Sequence, residues 1–294
     1  MTTAQFHSPA TLAEAIALMA GAGARALGGG TDLIVQMRSG RAGPAAIVDL
    51  KRIPGLIGVR RGADGGFAIG AATPCTALLA DAALAAAWPG VVEAANLIGS
   101  VQVRNRATLA GNLCNASPGA DSVPALIAAG ARCRVVGPLG ERTVPVAEIP
   151  LAPGRTSLAP GELVAEILLP AQPTRAADAY LRLTPRTEMD IAIVGAGAWV
   201  RLAGDGTCTA ARVALGAVAP TALPVEAAGA ALVGSRLDDA ALAAMAAACQ
   251  AAARPIDDKR GTATYRTAMA GVLARRAVLA AATRAAAPQG TPSR

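Results

Sequence analysis

Two short stretches of this sequence carry the residue types that bind anionic ligands through the backbone. The first is LGGGTDLI, from Leu27 to Ile34, where three consecutive glycines separate an apolar run from residues at helical spacing. A strand, a glycine turn and a helix in this order aim unpaired N–H groups at one point, which suits a pyrophosphate. The pattern is neither a P-loop nor a dinucleotide GxGxxG, so an ordinary tight turn remains an alternative.

The second stretch is QVRNRATLAGNLCNASPGAD, from Gln102 to Asp121. Its density of small and polar residues predicts an irregular loop, not a core element, lying against a ligand. We hypothesise that the two stretches close on one ligand. Other roles stay open, since Gly111 and Asn112 could merely shape a turn. Asn115 could cap the following segment, and Asp121 could cap the helix that begins there.

The composition argues against several other classes of function. The 294 residues are 53% hydrophobic, enough for one large domain or two of ordinary size. The net charge is +7, but the basic residues are scattered and only 2% of residues are aromatic, which argues against nucleic-acid binding. No segment has the pattern of a secretory signal, and no apolar run reaches the roughly 18 residues of a membrane helix. We therefore expect a soluble, cytoplasmic protein.

The cysteines and the histidine argue against metal and nucleophilic chemistry. The five cysteines include no CxxC pair, so neither a disulfide framework nor a zinc or iron-sulfur site is expected. His7 is the only histidine and lies between Phe6 and Pro9, which favours a surface or capping role. We expect no catalytic residue and no metal site in this chain.

The hydrophobic periodicity predicts the elements that position the two stretches. Thr11 and Glu14 have the spacing of a capping box at the start of a helix that runs to about residue 22. A buried strand is predicted over residues 24–27, and helices over 81–98 are broken near Trp88. Further strands are predicted over residues 4–7, 46–50, 56–60, 67–71, 132–136 and 162–169, with helices beginning at Thr73 and Ser122.

After Pro170 the pattern changes to strands at hairpin spacing followed by helices. Strands are predicted over residues 179–183, 190–201 and 207–215, and helices over 223–232, 238–253 and 265–286. We expect a first domain over residues 1–175, a second over 176–287 and a loose tail over 288–294.

The two stretches, at this separation and in this order, resemble the FAD-binding medium subunit of the molybdenum hydroxylases, the family of xanthine dehydrogenase and aerobic carbon monoxide dehydrogenase. The resemblance covers nearly the whole chain, including IGAATP (69–74), YLRLTPRTEMDIAIVGAGAWV (180–200) and PIDDKRGTATYR (255–266). It implies an α+β fold, in which a two-lobed FAD-binding domain of the vanillyl-alcohol-oxidase type precedes a three-stranded antiparallel sheet with a three-helix bundle.

The resemblance also implies which residues bind FAD. The first stretch and Thr108 to Asn112, TLAGN, correspond to loops around the pyrophosphate, with the hydroxyls of Thr31 and Thr108 on phosphate oxygens. The Asp32 carboxylate would repel phosphates, so we expect it to face backbone or sugar hydroxyls. The implied cofactor-binding residues are Leu27, Gly28, Gly29, Gly30, Thr31, Asp32, Leu33, Ile34, Ile98, Thr108, Leu109, Ala110, Gly111, Asn112, Asp121, Val164 and Arg182.

Four of these residues correspond to family positions outside the phosphate loops. Asp121 corresponds to an acid that accepts hydrogen bonds from ribityl or ribose hydroxyls. Ile98 and Val164 correspond to apolar positions against the flavin ring. Arg182 corresponds to a cation near the pyrimidine end of that ring, where positive charge raises the flavin potential. An extra residue before Asp190 means that the alignment at Arg182 could be shifted by one residue.

Four residues of the second stretch depart from the family pattern or lie beside it. Ala110 stands where the family commonly has glycine, and a methyl group is tolerated there if the residue keeps an ordinary φ. Arg104 and Arg106 are expected to face solvent or a docking partner. No covalent link from Cys114 to flavin is expected.

The function that the resemblance implies is electron transfer. The chain's FAD would take electrons from 2Fe-2S centres on a small partner subunit, which receives them from molybdopterin on a large partner subunit, and would reduce an external acceptor. The complex would be a dimer of heterotrimers. The clustered cysteines of an inserted 4Fe-4S loop, found in some relatives, are absent from the sequence. Two alternatives are a scaffold protein that keeps the fold without redox activity, and a stand-alone flavin oxidase.

Overall fold

The strands and helices are those of a computed structural model, which describes residues 4–39 and 43–287. The strands are β1 (Gln5–His7), β2 (Ala24–Leu27), β3 (Ala46–Asp49), β4 (Val59–Arg61), β5 (Phe67–Gly70), β6 (Arg132–Gly137), β7 (Gly140–Pro145), β8 (Pro150–Ala152), β9 (Arg155–Thr156), β10 (Leu163–Leu169), β11 (Ala176–Leu183), β12 (Val194–Leu202), β13 (Cys208–Gly216) and β14 (Leu223–Pro224). The helices are α1 (Leu12–Met19), α2 (Leu33–Arg38), α3 (Cys75–Ala80), α4 (Ala82–Ala87), α5 (Pro89–Asn96), α6 (Val101–Arg104), α7 (Leu109–Cys114), α8 (Ser122–Ala129), α9 (Glu226–Leu232), α10 (Asp239–Ala252) and α11 (Ala263–Ala286). The predicted loose tail over 288–294 lies outside the described residues.

The first three strands form a small parallel sheet in the order β1-β3-β2. Its core face presents Val48, which is fully buried with Ala15 of α1. Thr11 caps α1 as predicted, since its hydroxyl accepts from the N–H of Glu14 at 3.2 Å. The Glu14 carboxylate accepts from the N–H of Ala10, one residue before the cap, at 2.9 Å. The prediction that β2 is buried is wrong, because β2 is an edge strand and only Leu27 in it is buried.

An antiparallel sheet in the order β4-β5-β10-β6-β7 follows. The β7 strand and the two-stranded β8-β9 pair were not predicted. Both faces of β7 are at least partly accessible, so its sequence, GERTVP, lacks the apolar alternation that identifies a strand. A register shift between Val164 and Glu166 marks a bulge in β10. Glu166 is buried there between the guanidinium groups of Arg60 and Arg134.

The second large sheet is antiparallel, in the order β11-β12-β13-β14. Helices α5 and α8 pack on it from the N-terminal half, while α9, α10 and α11 complete a second core against its strands. Glycine at position 197 permits the approach of α8, because a Cβ there would overlap the carbonyl of Pro124. The predicted α+β class is confirmed. The predicted three-stranded sheet has a fourth strand, the two-residue edge strand β14, and β12 begins at Val194, four residues later than predicted.

The stretch from Gln102 to Asp121 is not an irregular loop, so that prediction is wrong. It contains the end of α6 and all of α7, and Leu109, Ala110 and Leu113 of α7 are buried in the main core. These helices have only four and six residues, too few to show a helical period in the sequence.

The helices of the described segments include none with the length and apolarity that crossing a bilayer requires.

Asp178 lies in the contact between α5 and β11 and is almost fully buried. Its Oδ2 accepts from the N–H of Val91 at 2.9 Å, and Oδ1 has no hydrogen-bond partner among the described residues. Burial raises the pKa of Asp178 to about 7, against the lowering effect of the α5 N–H groups and of Arg284. Glu93 faces the same contact and raises this pKa further.

The pKa of Asp178 predicts a stability that falls as pH rises. The folded chain holds this proton up to about pH 7, whereas an unfolded aspartate loses it near 3.8, so the difference is worth about 4 kcal/mol. The free energy of unfolding should decrease between about pH 4 and pH 7 on this account. Asp178→Asn should therefore stabilise the chain at pH 8 relative to the unmodified chain and change little at pH 4. Urea unfolding at pH 4 and pH 8 measures the free energy of unfolding of both chains. A change in that free energy by Asp178→Asn that is equal at the two pH values would contradict the prediction.

Candidate cofactor site

A cleft of about 1210 Å³ opens between β2, α2, the α6–α7 segment and the chain around residues 153–163. Both stretches singled out in the sequence line it, which brings together residues about 80 positions apart. The predicted site residues that line the cleft are Leu27, Gly28, Gly29, Gly30, Thr31, Asp32, Leu33, Ile98, Thr108, Ala110, Gly111, Asn112 and Val164.

The first loop, residues 27–34, offers free backbone donors to this cleft. Within the described part of the chain, the N–H groups of residues 29–33 donate no hydrogen bond. Gly30 has φ of +79°, and a Cβ there would lie 2.9 Å from Leu27 Cδ1, so glycine is required for this turn. Consecutive unpaired N–H groups form a concave backbone surface that favours anions.

The second loop is the N-terminal turn of α7. Thr108 caps this helix, and its Oγ1 accepts from the N–H of Gly111 at 2.9 Å. A Cβ on Gly111 would meet only that oxygen within 4 Å, so the space beyond it is the open cleft. Ala110 lies within α7 and has no positive φ, which satisfies the condition for the glycine-to-alanine departure.

The two loops touch each other directly. A Cβ on Gly29 would overlap the carbonyl group of Arg106, so glycine at 29 lets one backbone lie against the other. Gln36 of α2 adds a side-chain link, because its Nε2 donates to Asn115 Oδ1 at 2.9 Å. Asn115 therefore bridges the loops. Gly29 is constrained first by this contact and only second by space for a ligand.

Asn112 and Asp32 use their side chains differently. Asn112 Oδ1 accepts from both the hydroxyl and the N–H of Ser122, at 2.7 and 3.3 Å, and so ties α7 to the start of α8. Asp32 lies at the start of α2 without making a side-chain cap. Loss of solvation within the cleft raises the pKa of Asp32.

Four predicted site residues do not line the cleft: Ile34, Leu109, Asp121 and Arg182. Ile34 is partly exposed, and Leu109 is buried in the core. The carboxylate of Asp121 accepts from Tyr180 Oη at 2.9 Å and from Arg182 Nη1 at 2.7 Å.

Arg182 and Asp121 form a buried ion pair. Desolvation raises the pKa of Asp121, and the adjacent guanidinium opposes that rise. Arg182 Nη1 also donates to the carbonyl of Leu97 at 2.8 Å, directly before the cleft residue Ile98. Asp121 makes no side-chain cap on α8, so the capping alternative is wrong. The predicted contacts of both residues with the ligand stay predictions.

Arg104 is buried, contrary to the prediction of a solvent-facing residue. Its Nη1 donates to the carbonyls of Gly99 at 3.2 Å and Ile98 at 3.4 Å, which holds the turn that carries the apolar wall of the cleft. Arg106, in contrast, is exposed as predicted. Nothing in the local sequence separates the two arginines, because only the tertiary position of α6 decides which one turns inward.

Two further polar residues support the cleft and were not predicted. Glu162 lines it, and both of its carboxylate oxygens accept from Arg142 of β7, at 2.7 and 2.8 Å. This bidentate pair lowers the pKa of Glu162. Lys51 donates from Nζ to the carbonyl of Gly28 at 3.1 Å. Neither contact has a local sequence signal, since both join segments far apart in the chain.

Sequence comparison places residues 2–172 in a known family, described as the FAD binding domain in molybdopterin dehydrogenase. The chain belongs to this family. Residues 179–281 match a second description, the CO dehydrogenase flavoprotein C-terminal domain. Both findings confirm the resemblance stated from the two glycine-containing stretches.

Relatives match over most of the chain. The carbon monoxide dehydrogenase medium chain of Afipia carboxidovorans is 39% identical over 283 residues, which cover 95% of this chain and 97% of the relative. A xanthine dehydrogenase FAD-binding subunit of Escherichia coli O157:H7 is 35% identical over 220 residues, covering 74% and 75%. The chain is thus an FAD-binding medium subunit of the molybdenum hydroxylase family and an oxidoreductase component.

Solved structures agree with this assignment. Reconstituted CO dehydrogenase from Oligotropha carboxidovorans has a chain that matches with a TM-score of 0.92 and 38% identity, over 96% of this chain and 98% of that chain. Quinoline 2-oxidoreductase from Pseudomonas putida 86 matches with a TM-score of 0.87 and 28% identity, over the same shares.

FAD fits the residues of the cleft. The unpaired N–H groups of residues 29–33 suit a diphosphate, and the open space beside Gly111 leaves a ligand free access to the α7 backbone. Ile98 and Val164, both nearly buried, provide an apolar wall for a flat ring.

Substitutions at Gly111 and Gly29 distinguish a loss of space for the ligand from a loss of folding stability. Gly111→Val should abolish FAD retention, because the new side chain would project into the cleft, and should lower stability only through the Thr108 cap, whose Oγ1 would lie 2.9 Å from the new Cβ. Gly29→Ala should lose FAD and also lower the thermal unfolding midpoint of the apo chain, because it pushes the two loops apart. FAD retention after gel filtration and unfolding of the apo chain measure the two effects.

Gly204→Val is the matched control, since a Cβ at that glycine meets nothing within 4 Å and the residue lies outside the cleft. It should retain FAD. Unchanged FAD retention in Gly111→Val would count against the second loop as part of the binding site.

Proposed function

We propose that this chain is the electron-transfer flavoprotein of a molybdenum hydroxylase complex. The observation that carries the proposal is that the first loop, with the unpaired N–H groups of residues 29–33, meets the N-terminal turn of α7 at a single cleft. The resemblance in sequence and fold to medium chains of CO dehydrogenase supports it. Bound FAD supplies the capacity to accept electrons and pass them on singly or in pairs.

The first loop and the α7 turn would hold the pyrophosphate of FAD. The N–H groups of residues 29–33, which are unpaired, and the Thr31 hydroxyl would donate to it. Thr108 Oγ1 already accepts from Gly111, so the Thr108 hydroxyl proton is free to be donated to a phosphate oxygen. Leu109 and Ala110 shape the α7 turn, and Asn112 anchors it through Ser122.

The sugar and ring portions of FAD use the other predicted residues. Asp32 lines the cleft, where its carboxylate would accept hydrogen bonds from sugar hydroxyls. Ile98 and Val164 exclude water from the ring. Asp121 contributes its remaining lone pairs to ribityl or ribose hydroxyls, and Arg182, paired with it, affects the ring through that carboxylate.

The proposed partners are those that the family resemblance implies. A small subunit with 2Fe-2S centres delivers electrons, a large subunit holds molybdopterin and the organic substrate, and the complex is a dimer of heterotrimers that works in the cytoplasm. An external carrier takes the electrons from FAD. Within this chain, residues 1–175 form the FAD-binding domain and 176–287 the C-terminal domain, a division supported by matches to two separate family descriptions.

The proposal is tested by the visible spectrum of the reconstituted chain. The purified chain should bind one FAD per chain. Its flavin bands should bleach only when the iron-sulfur subunit, the large subunit and the substrate are all present. A chain that binds no FAD at high cofactor concentration would support the scaffold alternative. Bleaching by an organic substrate without partners would support the oxidase alternative.

A further inference from the structure

We propose that Lys51 is a positioning residue that orients the peptide group between Gly28 and Gly29, so that the N–H of Gly29 faces the cleft. The inference rests on the proposed function, since it concerns the part of the first loop assigned to phosphate. It adds a residue outside the cleft to the machinery that holds the cofactor.

Lys51 is held in place by the strand that precedes it. It lies in a short 3-10 turn after β3, and its backbone N–H donates to Asp49 Oδ1 at 3.1 Å. Its Nζ forms an ion pair with the same carboxylate and donates to the carbonyl of Gly28 at 3.1 Å. The Lys51 side chain is 26% exposed and does not line the cleft, whereas Gly28 and Gly29 do.

Because the peptide group is planar, the hydrogen bond from Lys51 to the Gly28 carbonyl also fixes the direction of the Gly29 N–H. In a trans peptide the C=O and the following N–H point in opposite directions. Because the Gly28 carbonyl points to Lys51, away from the cleft, the Gly29 N–H points to the other side. That N–H has no acceptor among the described residues.

Glycine flanks this peptide on both sides, so its orientation needs support. Gly28 and Gly29 have no side chains to restrict φ and ψ, and rotation of the peptide between them costs little. A rotated peptide would present a carbonyl oxygen to the cleft in place of a donor, and that oxygen would repel a phosphate. Contact with Arg106 limits where Gly29 can lie, but the described residues offer the Gly28 carbonyl no donor besides Lys51.

A direct charge role for Lys51 makes a different prediction. The Asp49 carboxylate neutralises the ammonium group locally, and the ammonium faces the carbonyl side of the peptide. If Lys51 acts by orientation, a neutral donor should replace it. If it acts by charge on the pyrophosphate, a neutral donor should fail.

Three substitutions separate these roles: Lys51→Arg keeps donor and charge, Lys51→Gln keeps a donor alone, and Lys51→Met keeps neither. The Kd for FAD is measured from the quenching of flavin fluorescence with the full chain, at low and high salt. We expect Lys51→Met to raise Kd about tenfold or more, Lys51→Arg and Lys51→Gln to raise it about threefold or less, and the salt dependence to stay that of the unmodified chain.

Equal losses in Lys51→Gln and Lys51→Met, with a reduced salt dependence in both, would overturn the inference in favour of a charge role. Unchanged binding in Lys51→Met would overturn it outright while leaving the proposed function intact. If the unmodified chain binds no FAD, the proposed function and this inference fail together. Unfolding midpoints verify that the variants fold. If Lys51→Met does not fold, a comparison of the Kd for FAD between Lys51→Arg and Lys51→Gln distinguishes the donor role from the charge role.

Discussion

The close approach of two backbone segments is the constraint on which the cleft depends. Gly29 lies against the carbonyl of Arg106, and no residue with a Cβ can take that place without separating the loops. The Gln36–Asn115 hydrogen bond joins the same two segments a few residues further on. Since these contacts are internal to the protein, they bring the unpaired N–H groups of residues 29–33 and the Thr108 hydroxyl together before any ligand arrives. Such preorganisation lowers the entropy lost on binding.

The rest of the molecule fixes the position of each loop. Asn112 ties the second loop to α8, and α8 in turn packs against the second large sheet, where a glycine at 197 makes room for it. The Leu97–Ile98 segment is held from two sides by buried guanidinium groups, Arg104 from α6 and Arg182 from β11. The C-terminal sheet therefore contributes to the wall of a cleft that is lined mostly by the N-terminal half.

The parts of the structure that could be predicted from the sequence are those with local signals. The strand–glycine–helix pattern at Leu27 to Ile34 and the TLAGN segment were identified because glycine and small polar residues are locally dense, and both line the cleft. The broken helix at Trp88 and the three-strand, three-helix order of the C-terminal half followed from proline and periodicity. Helices as short as α6 and α7 gave no period. The inward turn of Arg104 depends on distant packing that no local pattern encodes.

The measurement that most directly tests the two-loop cleft is amide hydrogen exchange of the full chain with and without FAD. Residues 29–33 and the first turn of α7 should both become protected on binding, and at the same FAD concentration, because one bound FAD would cover both loops. Protection of only one loop, or of a surface elsewhere with both loops unchanged, would contradict the account.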